Sequence, residues 1–126
     1  MARKEATQMI TVEAGSDLSA KQFYFMKVNS SGQLALVGDG ADALGVLHNE
    51  PSEAGRPGTV CIGGMTPIVF GGTVTAGDRV ASDSNGKCVT RGTGDNCLGW
   101  CIEGGASGET GTIVFQPSGP GSHPHY

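Results

Sequence analysis

Short apolar runs separated by glycine-containing turns constrain the fold of this chain more than any other feature. Apart from residues 16–22, no window places apolar residues at helical spacing without an intervening glycine or turn cluster. The 22 glycines follow no triplet period and indicate many tight turns. Such a pattern is typical of a β-sandwich or β-barrel, so we predict a compact all-β fold. The predicted strands are residues 9–12, 23–28, 33–37, 43–47, 59–62, 66–70, 79–82, 87–90, 97–102 and 112–115.

Three glycine-containing segments predict tight turns between antiparallel strands. Residues 29–32 (NSSG) and 83–86 (DSNG) place glycine where a hairpin needs a positive φ, after Asn, Asp or Ser. Gly63 and Gly64 fit the two central positions of a type I′ turn between strands 59–62 and 66–70. Pro67 favours an edge position for the second of these strands, because proline has no N–H to donate to a neighbour.

Four blocks of sequence return in the same order later in the chain, which predicts two copies of one four-stranded unit. The copies span about residues 12–62 and 74–115, and neither alone has enough core to be stable. The matched blocks are VEAGSDL (12–18) with VTAGDRV (74–80), NSSGQ (29–33) with DSNGK (83–87), ALGVL (43–47) with CLGWC (97–101), and GTVCI (58–62) with GTIVF (111–115).

Length and composition predict one β domain, residues 10–115, between a flexible N-terminal arm, residues 1–9, and a flexible C-terminal tail, residues 116–126. Only 16% of residues are charged, which suits a surface packed against other proteins. The net charge of −4 gives no overall attraction to nucleic acid, so we expect no nucleic-acid partner. No apolar run is long enough for a bilayer, and the first residues lack a signal-peptide core, so we expect no membrane partner, cytoplasmic synthesis and reduced cysteines.

The side chains that could act in catalysis or as ligands do not form the pattern of an enzyme, a metal site or a cofactor site. Cys97 and Cys101 have ligand chemistry, but in a strand they would lie roughly 13 Å apart. His48 is the one histidine outside the tail, and a lone loop histidine is typical of a surface. The G-x-G segments at residues 38–40 and 92–94 precede no helix that would hold a phosphate. We therefore predict a protein that is not an enzyme and has no cofactor or metal.

The aromatic residues leave two interpretations open. Trp100 and the run Phe23, Tyr24 and Phe25 would form a stacking platform for carbohydrate if they were exposed. A β-sandwich also needs large side chains inside, and we favour the core for these rings. Exposure of the rings therefore discriminates a carbohydrate-binding module from a protein without such a platform.

Taken together, these blocks resemble tailed-phage capsid decoration proteins, also called cement proteins. The resemblance covers about residues 10–115. It is carried by VEAGSDLS (12–19), FMKVNSSGQLAL (25–36), ALGVL (43–47), VTAGDRVASDSNGK (74–87) and GTIVF (111–115).

The resemblance implies a structural protein of the virion, attached to the outside of an assembled capsid. It would be a homotrimer that bridges subunits of the phage major capsid protein, after assembly in the host bacterial cytoplasm. Terminal segments can be ordered by adding a strand to a neighbour, so we expect contacts with the capsid or a sister subunit in the N-terminal segment. The candidate contact residues are Arg3, Lys4, Met9, Ile10 and Val12. The alternative is a virion-carried β-sandwich module that binds host-surface carbohydrate.

Overall fold

The structure, a computed structural model, describes residues 8–120 and confirms the all-β fold. Within this range the chain forms nine strands and no helix. The sheet curls into a half-barrel. The strands are β1 (Gln8–Glu13), β2 (Phe25–Val28), β3 (Leu34–Leu36), β4 (Gly45–Leu47), β5 (Pro57–Val69), β6 (Arg79–Ser82), β7 (Cys88–Thr90), β8 (Asn96–Glu103) and β9 (Thr110–Pro120).

The strands pair in the order β3-β2-β4-β5-β9-β8-β6-β7, and β1 pairs with β5 outside this path. Every pair of strands is antiparallel. The first part of β5 pairs with β1 and β4, whereas its second part pairs with β9. We call residues 8–62 the N-terminal half and residues 64–120 the C-terminal half, and β5 belongs to both.

The predicted hairpin at Gly63 and Gly64 is wrong, because β5 continues through both residues as one strand of 13 residues. Gly64 has a φ of 99°, which only glycine adopts readily, so a Gly-Gly pair fits a bend in a strand as well as a turn. Distant partners decide between these conformations. Cys61 lies opposite Met9, whereas Met65 lies opposite Val114.

The two predicted hairpins at residues 29–32 and 83–86 are confirmed. Asn29 and Asp83 each accept two backbone N–H groups through side-chain Oδ1, from the residues two and four positions later. Gly32 and Gly86 have φ values of 76° and 80°, which is the conformation that the turn requires. Local turn chemistry therefore determines where β2 joins β3 and where β6 joins β7.

Backbone hydrogen bonds of the N-terminal half recur 54 positions later in the C-terminal half. We call two residues equivalent when they occupy the same place in this pattern. The recurring bonds, donor first, are Phe23 to Leu47 and Gly77 to Cys101, Leu47 to Tyr24 and Cys101 to Asp78, and Val37 to Phe25 and Arg91 to Arg79. The pairing of β1 with the first part of β5 likewise resembles that of the second part of β5 with β9. Ile10 lies opposite Val60, and Thr66 lies opposite Ile113.

One block of the predicted repeat is misaligned by this pattern. Gly77 is equivalent to Phe23, and the two residues share a positive φ of 93° and 67°, respectively. The match of VEAGSDL (12–18) with VTAGDRV (74–80) is therefore wrong, because Val12 lies within β1 and Val74 lies in a connection between strands. The two segments have similar residues but different backbone structures. Duplication of one unit stays a prediction.

The core consists of two clusters, and one of them joins the halves. Phe25, Val37 and Val46 of the N-terminal half pack with buried residues of the C-terminal half. The rings of Phe25 and Phe115 lie 6.2 Å apart in this cluster. The second cluster lies within the N-terminal half and is built from Ala14, Leu18, Met26, Leu34, Leu47 and Val60. The halves therefore share apolar surface and are not independent modules.

Both ends of the predicted domain differ from the structure. Strand β1 begins at Gln8, inside the predicted arm of residues 1–9. Strand β9 continues to Pro120, five residues past the predicted end at residue 115, because Asn96 and Cys97 of β8 pair with Pro120 and Gly119. The tail was predicted from its proline and glycine content alone, and composition does not show that a partner strand is present. Arg3, Lys4 and residues 121–126 lie outside the described range.

Candidate binding surface

The residues that the structure describes form exposed surfaces, and they form neither a pocket nor a cluster of metal-binding side chains. No pocket opens on them, and no group of three or more His, Cys, Asp or Glu side chains gathers among residues 8–120. All four cysteines are buried and unpaired. Burial raises the pKa of Cys61, Cys88 and Cys101, which keeps these thiols protonated and unreactive. Within the same range, no helix has the length and apolar character needed to cross a membrane.

His48 is half-buried between the two halves and does not lie on the open surface that the sequence suggested. Its Nε2 lies 2.6 Å from Thr66 Oγ1, and its ring meets Phe23 edge-on at 5.4 Å. The Thr66 hydroxyl donates to the Pro67 carbonyl, so His48 Nε2 is the donor in the first contact. Burial lowers the pKa of His48, which favours the neutral ring. Through these contacts His48, which follows β4, packs against β5.

Four large apolar side chains are exposed on the described surface. Their exposed fractions are 41% for Met9, 43% for Val28, 40% for Trp100 and 42% for Ile102. Single exposed apolar residues are ordinary, but neighbouring ones mark interaction surfaces. Trp100 and Ile102 are two residues apart on β8, so their neighbourhood is the first candidate.

Trp100 lies in a row of side chains that crosses four strands of the C-terminal half. It stands opposite Arg79 of β6 and Val114 of β9, and Val114 stands opposite Met65 of β5. Residues opposite each other in antiparallel strands point to the same side of a sheet. We call Met65, Arg79, Trp100, Ile102 and Val114 the Trp100 face.

The prediction that Trp100 belongs to the core is therefore wrong, whereas Phe25 is fully buried as expected. One side of the indole is occupied, because the Arg79 guanidinium lies 4.6 Å from the ring centre. Tyr24 is half-buried, with the ammonium groups of Lys21 and Lys87 5.2 Å and 5.9 Å from its ring centre. The aromatic rings therefore do not form one shared, open platform.

A second surface lies on the inner side of the N-terminal half. Ile10 and Val12 of β1 and Ile62 of β5 are half-buried and pack against the second core cluster. Val28 lies on the same side of β2 as Met26, which belongs to that cluster, and is exposed. We call Ile10, Val12, Val28 and Ile62 the Val28 face.

The predicted contact residues that fall in the described range are thus divided between two environments. Met9 is exposed on β1, whereas Ile10 and Val12 point inward and help to hold β1 on its own core. No sequence pattern marks Met65, Arg79, Ile102 or Val114 as a binding residue. Only the register of β5, β6, β8 and β9 brings these residues to Trp100, and no local sequence signal carries that register.

Comparisons with known proteins agree with this picture. The crystal structure of the N base of the head fiber protein gp8.5 of bacteriophage phi29 has a similar fold, with a TM-score of 0.67 at 16% sequence identity. The alignment covers 90% of this chain and 97% of that one. No curated protein matches the sequence. A family of phage structural proteins, described as phage cement protein, matches residues 1–116 and confirms the resemblance seen in the sequence. The chain belongs to the phage cement protein family.

Proposed function

We propose that the protein is a capsid decoration protein that binds the outer surface of a phage capsid and stabilises it by bridging subunits of the major capsid protein. The observation that carries the proposal is the family match over residues 1–116. The described β fold has no pocket and exposes apolar side chains on two surfaces, which supports a role in binding proteins. The protein acts in the virion after assembly in the host bacterial cytoplasm, as a homotrimer, without enzymatic activity.

The N-terminal segment is the proposed contact with the capsid or with a sister subunit. Among the described strands, β1 pairs only with β5, so its second edge is open to an added strand. Met9 offers an exposed apolar side chain on this strand. Arg3 and Lys4 precede it and would meet acidic groups of the partner. Ile10 and Val12 act by anchoring β1 to its own core.

Co-sedimentation with cognate capsids that lack the protein tests the function. Saturable binding at a fixed ratio to capsid subunits, with increased survival of the capsids on heating, is the expected result. Saturation at three copies per site supports the trimer. Absence of binding to the cognate capsid at any concentration would overturn the proposal.

A deletion of residues 2–8 tests the N-terminal contact. We expect lower occupancy of the capsid, together with an unchanged melting temperature, because the core lies outside the deleted segment. The variant Ser31→Glu, with its change at the exposed tip of the β2–β3 hairpin, is the control and should bind normally. Undiminished occupancy after the deletion would exclude a role for this segment.

Carbohydrate binding is the second candidate, and exposure of Trp100 is the observation that favours it. Trp100 is the one tryptophan in the sequence, so its fluorescence reports directly on ligands at this ring. Titration with oligosaccharides from the host surface should change the emission if the ring stacks on sugar. An unchanged emission at saturating sugar, alongside capsid binding, would exclude this alternative.

A further inference from the structure

The outer side of the N-terminal half packs on the inner side of the C-terminal half, and among residues 8–120 one surface of each half stays uncovered. The outer side of the N-terminal half is covered by the C-terminal half. Phe25, Val46 and Cys61 form a row across β2, β4 and β5, and each of them is 0% exposed. Phe25 and Val46 belong to the core cluster that joins the halves.

No part of residues 8–120 covers the equivalent row of the C-terminal half in this way. Arg79, Trp100 and Val114 occupy the places of Phe25, Val46 and Cys61 in the strand pairing. Arg79 and Val114 are half-buried, and Trp100 is exposed. Ile102 shows the same difference, because its equivalent, His48, contacts Thr66 of the C-terminal half while Ile102 faces solvent. The Trp100 face is therefore the uncovered counterpart of a buried interface.

The complementary surface shows the reverse relation. Thr66, Ile68 and Phe115 of the C-terminal half are 1%, 0% and 2% exposed beneath the N-terminal half. Their equivalents are Ile10, Val12 and Ile62, which are only half-buried.

The hairpins follow the same rule. Ser82 and Gly86 are buried, and their carbonyl groups accept N–H groups from Gly40 and Phe25 of the N-terminal half. Their equivalents, Val28 and Gly32, are exposed. The Val28 face is thus the surface against which a Trp100 face would pack if the contact within the chain were repeated.

We infer that a second copy of this chain covers these surfaces, with the Trp100 face of one copy packed on the Val28 face of the next. The contact continues the arrangement that already joins the halves, in which the outer row of one half lies on the inner side of the next. Both faces consist mainly of apolar side chains, and the Arg79 guanidinium lies over the Trp100 ring, 4.6 Å from its centre.

Each copy contributes one face of each kind, so the contact is head-to-tail and not two-fold symmetric. Such contacts close into a ring if the rotation between copies allows it, and otherwise grow into open chains. This inference extends the proposed self-association to a specific contact. It rests on the proposed function only for the number of subunits in the oligomer, which is three. It places Trp100 and Ile102 between subunits and leaves the N-terminal segment for the capsid.

Two single variants of the full chain test the contact, because each removes one face. Trp100→Glu places a charge on the Trp100 face, and Val28→Glu places one on the Val28 face. Both side chains are exposed, so each variant is expected to fold, with a melting temperature close to that of the wild-type monomer. Ser31→Glu is the matched control. Its equivalent, Asn85, stays exposed when the halves pack, so this change should leave association intact.

Light scattering coupled to size-exclusion chromatography measures the mass of each form. The wild type and the control should be oligomers of the 12.8 kDa chain, and each variant alone should be a monomer. An equimolar mixture of the two variants should form a dimer, since it restores a single intact contact between one undamaged Trp100 face and one undamaged Val28 face.

Two outcomes would overturn the inference. If Trp100→Glu dissociates the oligomer while Val28→Glu leaves it intact, the Trp100 faces meet each other and the contact is symmetric. If the wild type is monomeric at its highest soluble concentration, no copy covers these surfaces. Capsid co-sedimentation keeps the two proposals separate. A monomer that binds capsids overturns only the inference, and an oligomer that ignores cognate capsids overturns only the cement function.

Discussion

Strands β4 and β5 approach each other closely at Gly45, and the substitution Gly45→Ala tests how tightly β4 is held against β5. A Cβ atom at this position would lie 2.2 Å from the carbonyl oxygen of Cys61 and 2.6 Å from Cγ1 of Val60. Ordinary contacts begin at 3.4 Å, so the strands would have to separate by more than 1 Å. Gly45 does not have a positive φ, which makes the effect purely steric.

The magnitude follows from what that separation would disrupt. Forcing an extra methyl group into a packed interior costs about 1–3 kcal/mol. Strand β4 pairs with β5 at Val46 with Cys61 and at Leu47 with Val60, and weakening one or two of the hydrogen bonds there adds about 0.5–1.5 kcal/mol each. We expect the free energy of unfolding to fall by about 2–5 kcal/mol in total.

Gly63→Ala is the matched control, because this glycine also lies in β5 and its added Cβ would meet only the Gln8 side chain at 3.4 Å. We expect no loss of stability there, and a gain of about 0.4–1 kcal/mol if the unfolded chain loses freedom. Urea unfolding followed by circular dichroism measures both variants. If Gly45→Ala is as stable as Gly63→Ala, the close approach of β4 to β5 is not a constraint on the fold.

Two further predictions concern buried titratable groups. Burial lowers the pKa of His48 from its ordinary value of 6.5, so below that pH the unfolded chain takes up the proton first. The free energy of unfolding should therefore fall as the pH decreases below about 6.5, and His48→Gln should flatten this dependence in urea titrations. A pH dependence of equal slope in the variant would assign the effect to other groups. The four buried cysteines should resist a thiol-specific reagent in the native protein and react in denaturant; rapid modification without denaturant would contradict their burial.

Local chemistry explains which parts of the fold were predictable. Asn29 and Asp83, each followed three residues later by glycine, specify their turns without help from the rest of the chain. At Gly63 and Gly64 the same reasoning failed. A pair of glycines permits a turn or a bend, and the choice is made by β1, β4 and β9, which lie far away in sequence.

The binding surfaces were less predictable for a related reason. Val46 and Trp100 occupy equivalent places in two similar segments, ALGVL and CLGWC. Val46 is 0% exposed and Trp100 is 40% exposed, because only the first of them is covered by the other half. Neither segment contains a residue pattern that predicts this difference in exposure. The family resemblance, by contrast, was visible from the sequence, since it depends on the order of blocks and not on their packing.

Strand β9 has a consequence for the way a cell makes this protein. Ile113 and Phe115 complete the core that joins the halves, and β9 is also the partner of β8 and of the second part of β5. Translation delivers this strand after all the other described strands, so Ile113 and Phe115 reach the shared core last. The interval before β9 pairs with its partners is prolonged by the slow rates typical of non-local β pairing. Newly made chains with unpaired edges are most exposed to one another during that interval, before the native contacts have formed.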